Sequence, residues 1–191
     1  MKHIFVIAIL IFSICSSGLS QEEESLFTSP EDWKSERLHF PLSFAPSIDM
    51  VGYEDLKFAP KWSDSTSQEF WTYTFVWYNE KITNLSEDYL SENMEDYFDG
   101  LMGLDNESKN ASNMPEGTKS IFMNTSEGFV GKIETYDAFF TRKELTLYVK
   151  AKEIFCTSSF RQFVFFKLSP KRWHEETWKI FDDVSLHVEC D

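Results

Sequence analysis

Glycine is scarce in this chain, with seven residues in 191. Phosphate-binding loops and the nucleophile elbow of many hydrolases need closely spaced glycines, because glycine adopts backbone conformations that other residues resist. The sequence contains neither a glycine-rich phosphate loop nor a Gly-x-Ser-x-Gly motif. It therefore lacks the commonest sequence signs of a nucleotide-binding protein and of a serine hydrolase.

Cysteine and histidine are also few, three and four residues respectively. No Cys-x-x-Cys occurs, and His174-Glu175-Glu176 is followed by Thr177 and Trp178, so the second histidine of a His-Glu-x-x-His zinc motif is missing. The acidic residues at 105–107 and 182–183 lack the alternating spacing of a calcium loop. The sequence predicts no metal and no cofactor. His39, His174 and His187 are interpreted as surface or structural residues, although any of them could act as a general base.

Only one long apolar run is present, from Ile4 to Phe12. It is too short for a transmembrane helix, which needs about 20 residues. A basic start precedes it, and small residues that include Gly18 and Ser20 follow it, which is the layout of a secretory signal peptide. Residues 1–20 are predicted to be this peptide, cleaved before Gln21. We expect a soluble product in the periplasm or outside the cell, with no membrane span.

Basic residues are outnumbered, 18 against 32 acidic residues, which gives a net charge of −14. Nucleic acids and anionic lipid surfaces need a basic patch on their partner. The charge therefore predicts no nucleic-acid partner. The oligomeric state is left open by the sequence.

The mature chain would keep two cysteines, Cys156 and Cys190. An even pair in an exported protein favours a disulfide, which in the ideal chain-entropy model is worth about 3–4 kcal/mol here. Two free buried thiols are the alternative, because sequence does not reveal the distance between them.

A single amphipathic helix is predicted at about residues 85–102. Leu90, Met94, Tyr97 and Leu101 recur at helical spacing, and Gly103 is suited to end the helix. Asn84 is its predicted N-cap. The acidic residues of this helix are expected to face solvent: Glu87, Asp88, Glu92, Glu95 and Asp96.

The rest of the chain is rich in strand-forming residues, and aromatic residues make up 17% of the whole. Strands are predicted at 51–59, 70–78, 120–124, 129–136, 144–155 and 162–168. The first two are expected to pair antiparallel, and the last four to form a meander. Residues 173–188 fit a helix or a strand, and a helix is preferred. The prediction is a single α+β domain over 33–191, a sandwich of mostly antiparallel sheet packed by the helix, after a flexible lead-in at 21–32.

The predicted strand at 70–78 places Trp71, Tyr73, Phe75 and Trp77 on one face. Aromatic rows of this kind either pack in a core or bind flat apolar ligands such as sugars. Core packing is the commoner case, and ligand binding requires at least two of the four to be exposed. These four residues are the candidate binding site.

Glu54 and Asp55 are neighbouring carboxylates in the predicted strand 51–59. Because adjacent strand residues point to opposite faces, the two side chains cannot share one site. Glu54 could serve with a distant carboxylate in the way that glycosidases use two. A solvated or ion-paired strand residue is the more ordinary interpretation.

Several short motifs between Trp33 and Trp77 are shared with a known group of proteins: Trp33, Phe40-Pro41, Phe44-Ala45-Pro46, Gly52-x-Glu54-Asp55, Phe58-Ala59-Pro60, Trp71 and Tyr73. In this region the chain resembles a family of uncharacterised secreted proteins of Bacteroidota and related bacteria. Its signal peptide, ending in Ser20 before Gln21, is similar to those of flavobacteria. The resemblance implies a bacterial periplasmic or extracellular setting and implies no activity.

These observations predict an exported, non-catalytic binding or interaction domain with an aromatic-lined surface. Its partner would be a small molecule, a glycan or a protein. The alternative is an exported hydrolase whose carboxylate or histidine the sequence does not identify.

Overall fold

The computed structural model describes residues 25–104, 115–188 and 190. The α+β class is confirmed, because a mostly antiparallel sheet carries one packed α-helix. In this part of the chain the elements are β1 (Phe27–Thr28), β2 (Lys34–His39), β3 (Gly52–Phe58), β4 (Tyr73–Asn79), α1 (Glu87–Met102), β5 (Lys119–Thr125), β6 (Gly128–Tyr136), β7 (Glu144–Cys156), β8 (Arg161–Ser169), a 3₁₀ helix (Glu176–Phe181) and β9 (Ser185–Leu186).

Seven strands form the main sheet in the order β2-β3-β4-β8-β7-β6-β5, and every neighbouring pair is antiparallel. The first meander, β2 to β4, leads into α1, which carries the chain to the opposite edge. The second meander, β5 to β8, returns to the middle and pairs β8 with β4. The predicted pairing of the two early strands and the predicted late meander are both confirmed.

Helix α1 begins and ends close to the predicted bounds. The N-cap is Ser86, whose side chain accepts a hydrogen bond from the Tyr89 amide, so the prediction of Asn84 as the cap is wrong. Gly103 ends the helix in a left-handed conformation, with φ of 67°, as its sequence position predicts. The buried side chains of α1 are Leu90, Met94, Tyr97, Phe98 and Met102.

Polar side chains of α1 cover the edge strand β5. The amides of Thr118, Ser120, Phe122 and Asn124 donate to Asp99 (2.6 Å), Glu95 (2.8 Å), Ser91 (3.2 Å) and Glu87 (3.2 Å), respectively. Four helix residues rise about 6 Å and two strand residues span about 6.6 Å, so the two repeats match over this length. Glu87 is exposed, as predicted, whereas Glu95 is half-buried, and both accept hydrogen bonds from the open edge of the sheet.

The two faces of the main sheet are covered differently. The inner face, which includes Leu56, Phe75, Val149 and Phe166, packs against α1 in the large core. On the outer face, chain segments near both termini cover β3, β4 and β8. This smaller cluster consists of Phe27, Trp33, Ala59, Val76, Trp178, Phe181 and Val184.

The terminal segments differ from the predictions. Residues 25–32 belong to the predicted flexible lead-in, yet Phe27 is 2% exposed and β1 pairs with β9, because an apolar ring gains by burial against the sheet. The preferred C-terminal helix is present only as the 3₁₀ helix Glu176–Phe181. Beyond it Ser185–Leu186 pairs with β1, which requires an extended backbone.

Cys156, at the end of β7, and Cys190 lie at disulfide-bonding distance, with their Cα atoms 5.0 Å apart. The predicted pair is therefore brought together, and it holds the C-terminal segment to the main sheet. Among the described residues, no helix is long and apolar enough to cross a membrane.

Candidate functional site

The four residues of the predicted aromatic row all lie in the core. Trp71, Tyr73, Phe75 and Trp77 are between 0% and 3% exposed. Phe75 stacks on Tyr97 of α1, with ring centroids 5.9 Å apart and planes 5° apart. The apolar side of α1 needs a partner surface, and this row supplies it. The four side chains form no open surface in this structure.

The aromatic cluster nevertheless continues from the core to the surface. The ring of Trp71 lies 6.3 Å from that of Phe139 and 5.6 Å from that of Phe140, both in the β6–β7 hairpin loop. Phe140 also contacts Trp62 (5.3 Å) and Phe70 (5.8 Å). We call Trp62, Phe70, Phe139 and Phe140 the aromatic patch. Phe139 is 54% exposed and Phe140 is 37% exposed.

One buried carboxylate fixes the loop that presents these two rings. Asp137 accepts hydrogen bonds from the amides of Phe139 (3.1 Å), Phe140 (3.0 Å) and Thr141 (2.8 Å), and from the Thr141 hydroxyl (2.7 Å). Burial acts to raise the pKa of Asp137, but the hydrogen bonds from Thr141 and the two Phe residues outweigh it and lower the pKa. The exposure of Phe139 and Phe140 is thus built into an ordered loop.

Trp71, directly behind the patch, has two unusual features. Its backbone φ is +50°, a left-handed conformation that is uncommon for a bulky residue. The predicted strand 70–78 therefore begins only at Tyr73. Its indole Nε1 is buried and has no hydrogen-bond acceptor in the described part of the chain. A buried donor without an acceptor is costly, roughly 1–3 kcal/mol.

A cleft of about 800 Å³ lies on another side of the same hairpin. Ala138 and Arg142 of the loop line it, and its apolar lining includes Met102 and Leu145. Charged side chains complete the lining: Glu116, Lys119, Glu134 and Glu144. Its size falls in the range of small-molecule sites, about 300–1,000 Å³, and its polar groups could bind hydroxyls.

A buried ionisable group of the described residues lies elsewhere, in the inner core. Glu54 is 0% exposed and accepts hydrogen bonds from Trp77 Nε1 and the Tyr97 hydroxyl, each at 3.3 Å. Burial raises the pKa of Glu54 to about 8, against the lowering effect of these donors. The hydroxyl of Tyr73, on the same inner face, is buried without a partner in the described residues.

A general acid with a raised pKa fits hydrolytic chemistry in principle. Glu54, Tyr97 and Tyr73 are closed off by helix α1, however, and no open cleft reaches them in the described structure. Asp55 points to the outer face, as the strand geometry predicts, and lies in a separate environment. The carboxylate of Glu36 in β2 raises the pKa of Glu54 further, but Glu36 is exposed on the edge strand and is not part of the buried core.

The three histidines of the described residues are dispersed. His39 and His174 lie on the surface, and exposed His187 is 3.1 Å from the Thr28 hydroxyl through its Nε2 atom. Within the described ranges, no group of three His, Cys, Asp or Glu side chains could hold a metal ion.

The sequence carries a signal for part of the aromatic patch. Asp137-Ala138-Phe139-Phe140-Thr141 places two adjacent Phe residues in the link between two predicted strands, after an Asp that can accept from its own turn. The contribution of Trp62 and Phe70 comes from another loop, which only the tertiary structure brings near. Comparison of the chain with protein-family models, with curated proteins and with solved structures gives no match.

Proposed function

We propose that this protein is an exported, non-catalytic binding domain that holds a glycan on the aromatic patch. The observation that carries the proposal is the pair Phe139 and Phe140, two neighbouring exposed rings held by the four hydrogen bonds of Asp137. An apolar surface that is ordered before binding loses little conformational entropy when a ligand arrives.

The size and surroundings of the patch favour a glycan over a protein partner. A stable protein interface buries about 800 Å² on each side, more than a few rings supply. A sugar ring matches a single aromatic platform, since its apolar C–H face packs on the ring and its hydroxyls remain free. Arg142 and Glu144 in the neighbouring cleft could bind those hydroxyls.

The export part of the proposal rests on the signal-peptide layout of residues 1–20. The Cys156–Cys190 pair fits an oxidising compartment, where disulfides persist. The resemblance to secreted proteins of Bacteroidota favours a bacterial periplasmic or extracellular setting.

The proposal can be tested by affinity gel electrophoresis with soluble β-glucan, xylan, galactomannan and pectin. We expect at least one of these polysaccharides to retard the protein. The double variant Phe139→Ala/Phe140→Ala should abolish the retardation, because each stacking ring contributes about 1 kcal/mol or more. After incubation with the protein, the polysaccharides should show no new reducing ends, because a binding domain does not cleave them.

A matched control is available in the next hairpin. Phe155 and Phe160 are also exposed, by 39% and 63%, and Phe155→Ala/Phe160→Ala removes the same two side chains away from the patch. This control should bind like the unmodified protein. Equal loss in both double variants, or no retardation by any of the polysaccharides, would contradict the proposal. Polysaccharide cleavage would instead support the hydrolase alternative.

A further inference from the structure

The charge of the molecule is unevenly distributed over its two sides. Helix α1 carries six acidic residues and no basic residue. The outer face of β6, β7 and β8 instead displays four lysines, Lys132, Lys150, Lys152 and Lys167, as the strand registers show. A protein with a net charge of −14 therefore has a basic area on one sheet face. The prediction from net charge alone did not anticipate such a patch.

Two of these lysines face each other directly. Lys150 and Lys167 are partners in the β7–β8 ladder, a placement that is destabilising for like charges. Lys152 follows on the same side of β7. In the described structure neither Lys150 nor Lys152 lies within salt-bridge distance of a carboxylate, whereas Lys132 is paired with Glu134. Lys150 Nζ lies 5.5 Å from the centroid of the Trp178 ring, so Lys150 contacts an aromatic face rather than an acid. The positive charges of Lys150 and Lys152 are therefore not neutralised by a carboxylate among the described residues.

Lys167 is the most enclosed member of this group. Its Nζ donates to the Phe181 carbonyl oxygen at 2.9 Å. Burial lowers the pKa of Lys167 and neighbouring Lys150 lowers it further, while Asp182 acts in the opposite direction. The cost of holding two cations side by side is a reason to expect that an anion would be bound there.

A groove of about 1060 Å³ runs past these lysines, between β6–β7 and the C-terminal segment. Its lining includes Lys150, Lys152 and Lys167 together with an apolar set: Val130, Ile154, Phe165, Val184 and Leu186. Two acidic residues also border it. Glu127 lies in the β5–β6 turn, and Glu153 points to the other sheet face, where it accepts a hydrogen bond from Gln162 at 2.6 Å.

We propose that this outer-face groove binds a free amphiphilic carboxylate, with its chain along the apolar lining and its head group at Lys150 and Lys152. Charge complementarity selects the head group, and the apolar set selects a chain over a small hydrophilic anion. The site is separate from the aromatic patch and does not depend on the function proposed for it.

The probe is sodium laurate below its critical micelle concentration. It is titrated into the protein without the predicted signal peptide, residues 21–191, by isothermal calorimetry. We expect saturable binding that Lys150→Gln/Lys152→Gln weakens about tenfold. Lys34→Gln/Lys61→Gln changes the net charge by the same amount at two exposed lysines outside the groove, and it should leave laurate affinity unchanged within about twofold. Val130→Ser should weaken laurate while leaving the melting temperature close to that of the unmodified protein.

Acetate carries the carboxylate without the long chain, and dodecyl maltoside carries the chain without a carboxylate. Both should bind at least about tenfold more weakly than laurate. Acetate affinity equal to that of laurate would overturn the role of the apolar lining. Laurate binding unaffected by Lys150→Gln/Lys152→Gln would overturn the site. Lysine-dependent cosedimentation with phosphatidylglycerol vesicles, without laurate binding, would overturn the free amphiphile in favour of a lipid surface. Phe139→Ala/Phe140→Ala should not change laurate affinity, so failure of either proposal is distinguishable from failure of the other.

Discussion

Glu54 and Asp55 are neighbours in β3, both are buried, and their environments are opposite. Glu54 enters the inner core, where its partners are two neutral donors, Trp77 Nε1 and the Tyr97 hydroxyl. Asp55 enters the outer layer, where it accepts from the Ser25 hydroxyl and the Leu26 amide, each at 2.8 Å, and lies 3.4 Å from the Arg37 guanidinium. One strand therefore sends one carboxyl group to each layer of the molecule.

The difference shows how each layer deals with a buried acid. A carboxyl group removed from water either finds positive charge and strong donors or keeps its proton. Asp55 accepts hydrogen bonds from Ser25 and Leu26 and lies beside Arg37, and these contacts tie the N-terminal segment to the outer face. Glu54 keeps its proton, because the inner layer between α1 and the sheet offers it no cation among the described residues. The inner layer should therefore be sensitive to pH at Glu54, whereas the outer layer should be sensitive to loss of the Asp55 charge.

The largest effect is expected from Glu54→Gln near pH 8. Below about 4.5 the acid is protonated in both the folded and unfolded chains, so it adds no pH dependence. Between about 4.5 and about 8 the unfolded chain releases this proton while the folded chain retains it, so stability falls as pH rises. The loss is roughly 1.4 kcal/mol per pH unit. Glutamine remains neutral and should remove this loss.

Urea unfolding of both proteins from pH 5 to pH 8 measures this effect. The free energy of unfolding of Glu54→Gln should exceed that of the unmodified protein by an amount that grows with pH. Glu92→Gln, on the exposed side of α1, controls for the loss of one carboxyl group and should follow the unmodified curve. Parallel pH curves for Glu54→Gln and the unmodified protein would contradict a neutral Glu54.

The second effect is expected from Asp55→Asn, which keeps the shape and removes the charge. The hydrogen bonds from Ser25 and Leu26 lose their ionic component, and so does the contact with Arg37, with an expected loss of about 2–3 kcal/mol. This loss should accompany faster amide hydrogen exchange at Phe27 and Thr28, since β1 is held by the same segment. Asp183→Asn, at an exposed position, should change stability by less than about 0.5 kcal/mol. Unchanged hydrogen exchange in β1 of Asp55→Asn would mean that Asp55 does not hold the N-terminal segment on the outer face.

The sequence predicts those parts of the fold that local pattern determines. The helix at 85–102 follows from the spacing of Leu90, Met94 and Tyr97, and the long strand at 144–155 follows from strict alternation. The opposite directions of Glu54 and Asp55 follow from strand geometry alone. The pairing of β4 with β8 has no local signal, because these strands lie far apart in the chain and meet only after α1 has crossed the sheet.

The site is less predictable, because it depends on which surfaces meet. Trp71, Tyr73, Phe75 and Trp77 share a face in any strand, but the position of α1 decides that this face is buried. Local propensity also misplaces the start of β4, because an aromatic residue such as Trp71 favours strand while the chain turns there with positive φ. The aromatic patch forms only where two loops come together. Sequence periodicity predicts helices and strands, and it does not predict the positions of loops.

The smallest effect concerns Glu95, an acidic residue that is less buried than Glu54 and Asp55. It is half-buried at the rim of the inner layer, and its carboxylate accepts the Ser120 amide at 2.8 Å. Glu95→Ala should cost about 1 kcal/mol and accelerate hydrogen exchange at the Ser120 amide roughly fivefold, because the edge of β5 loses an acceptor. Glu95→Gln should restore most of the protection, since its amide oxygen still accepts. Glu92→Ala on the exposed side of the same helix is the matched control, and equal exchange rates in Glu95→Ala and Glu92→Ala would mean that water replaces the side chain at no cost. A confirmed difference would show that acidic side chains of α1 supply hydrogen-bond acceptors to the open edge of the sheet, whereas Glu54 accepts only from donors inside the core.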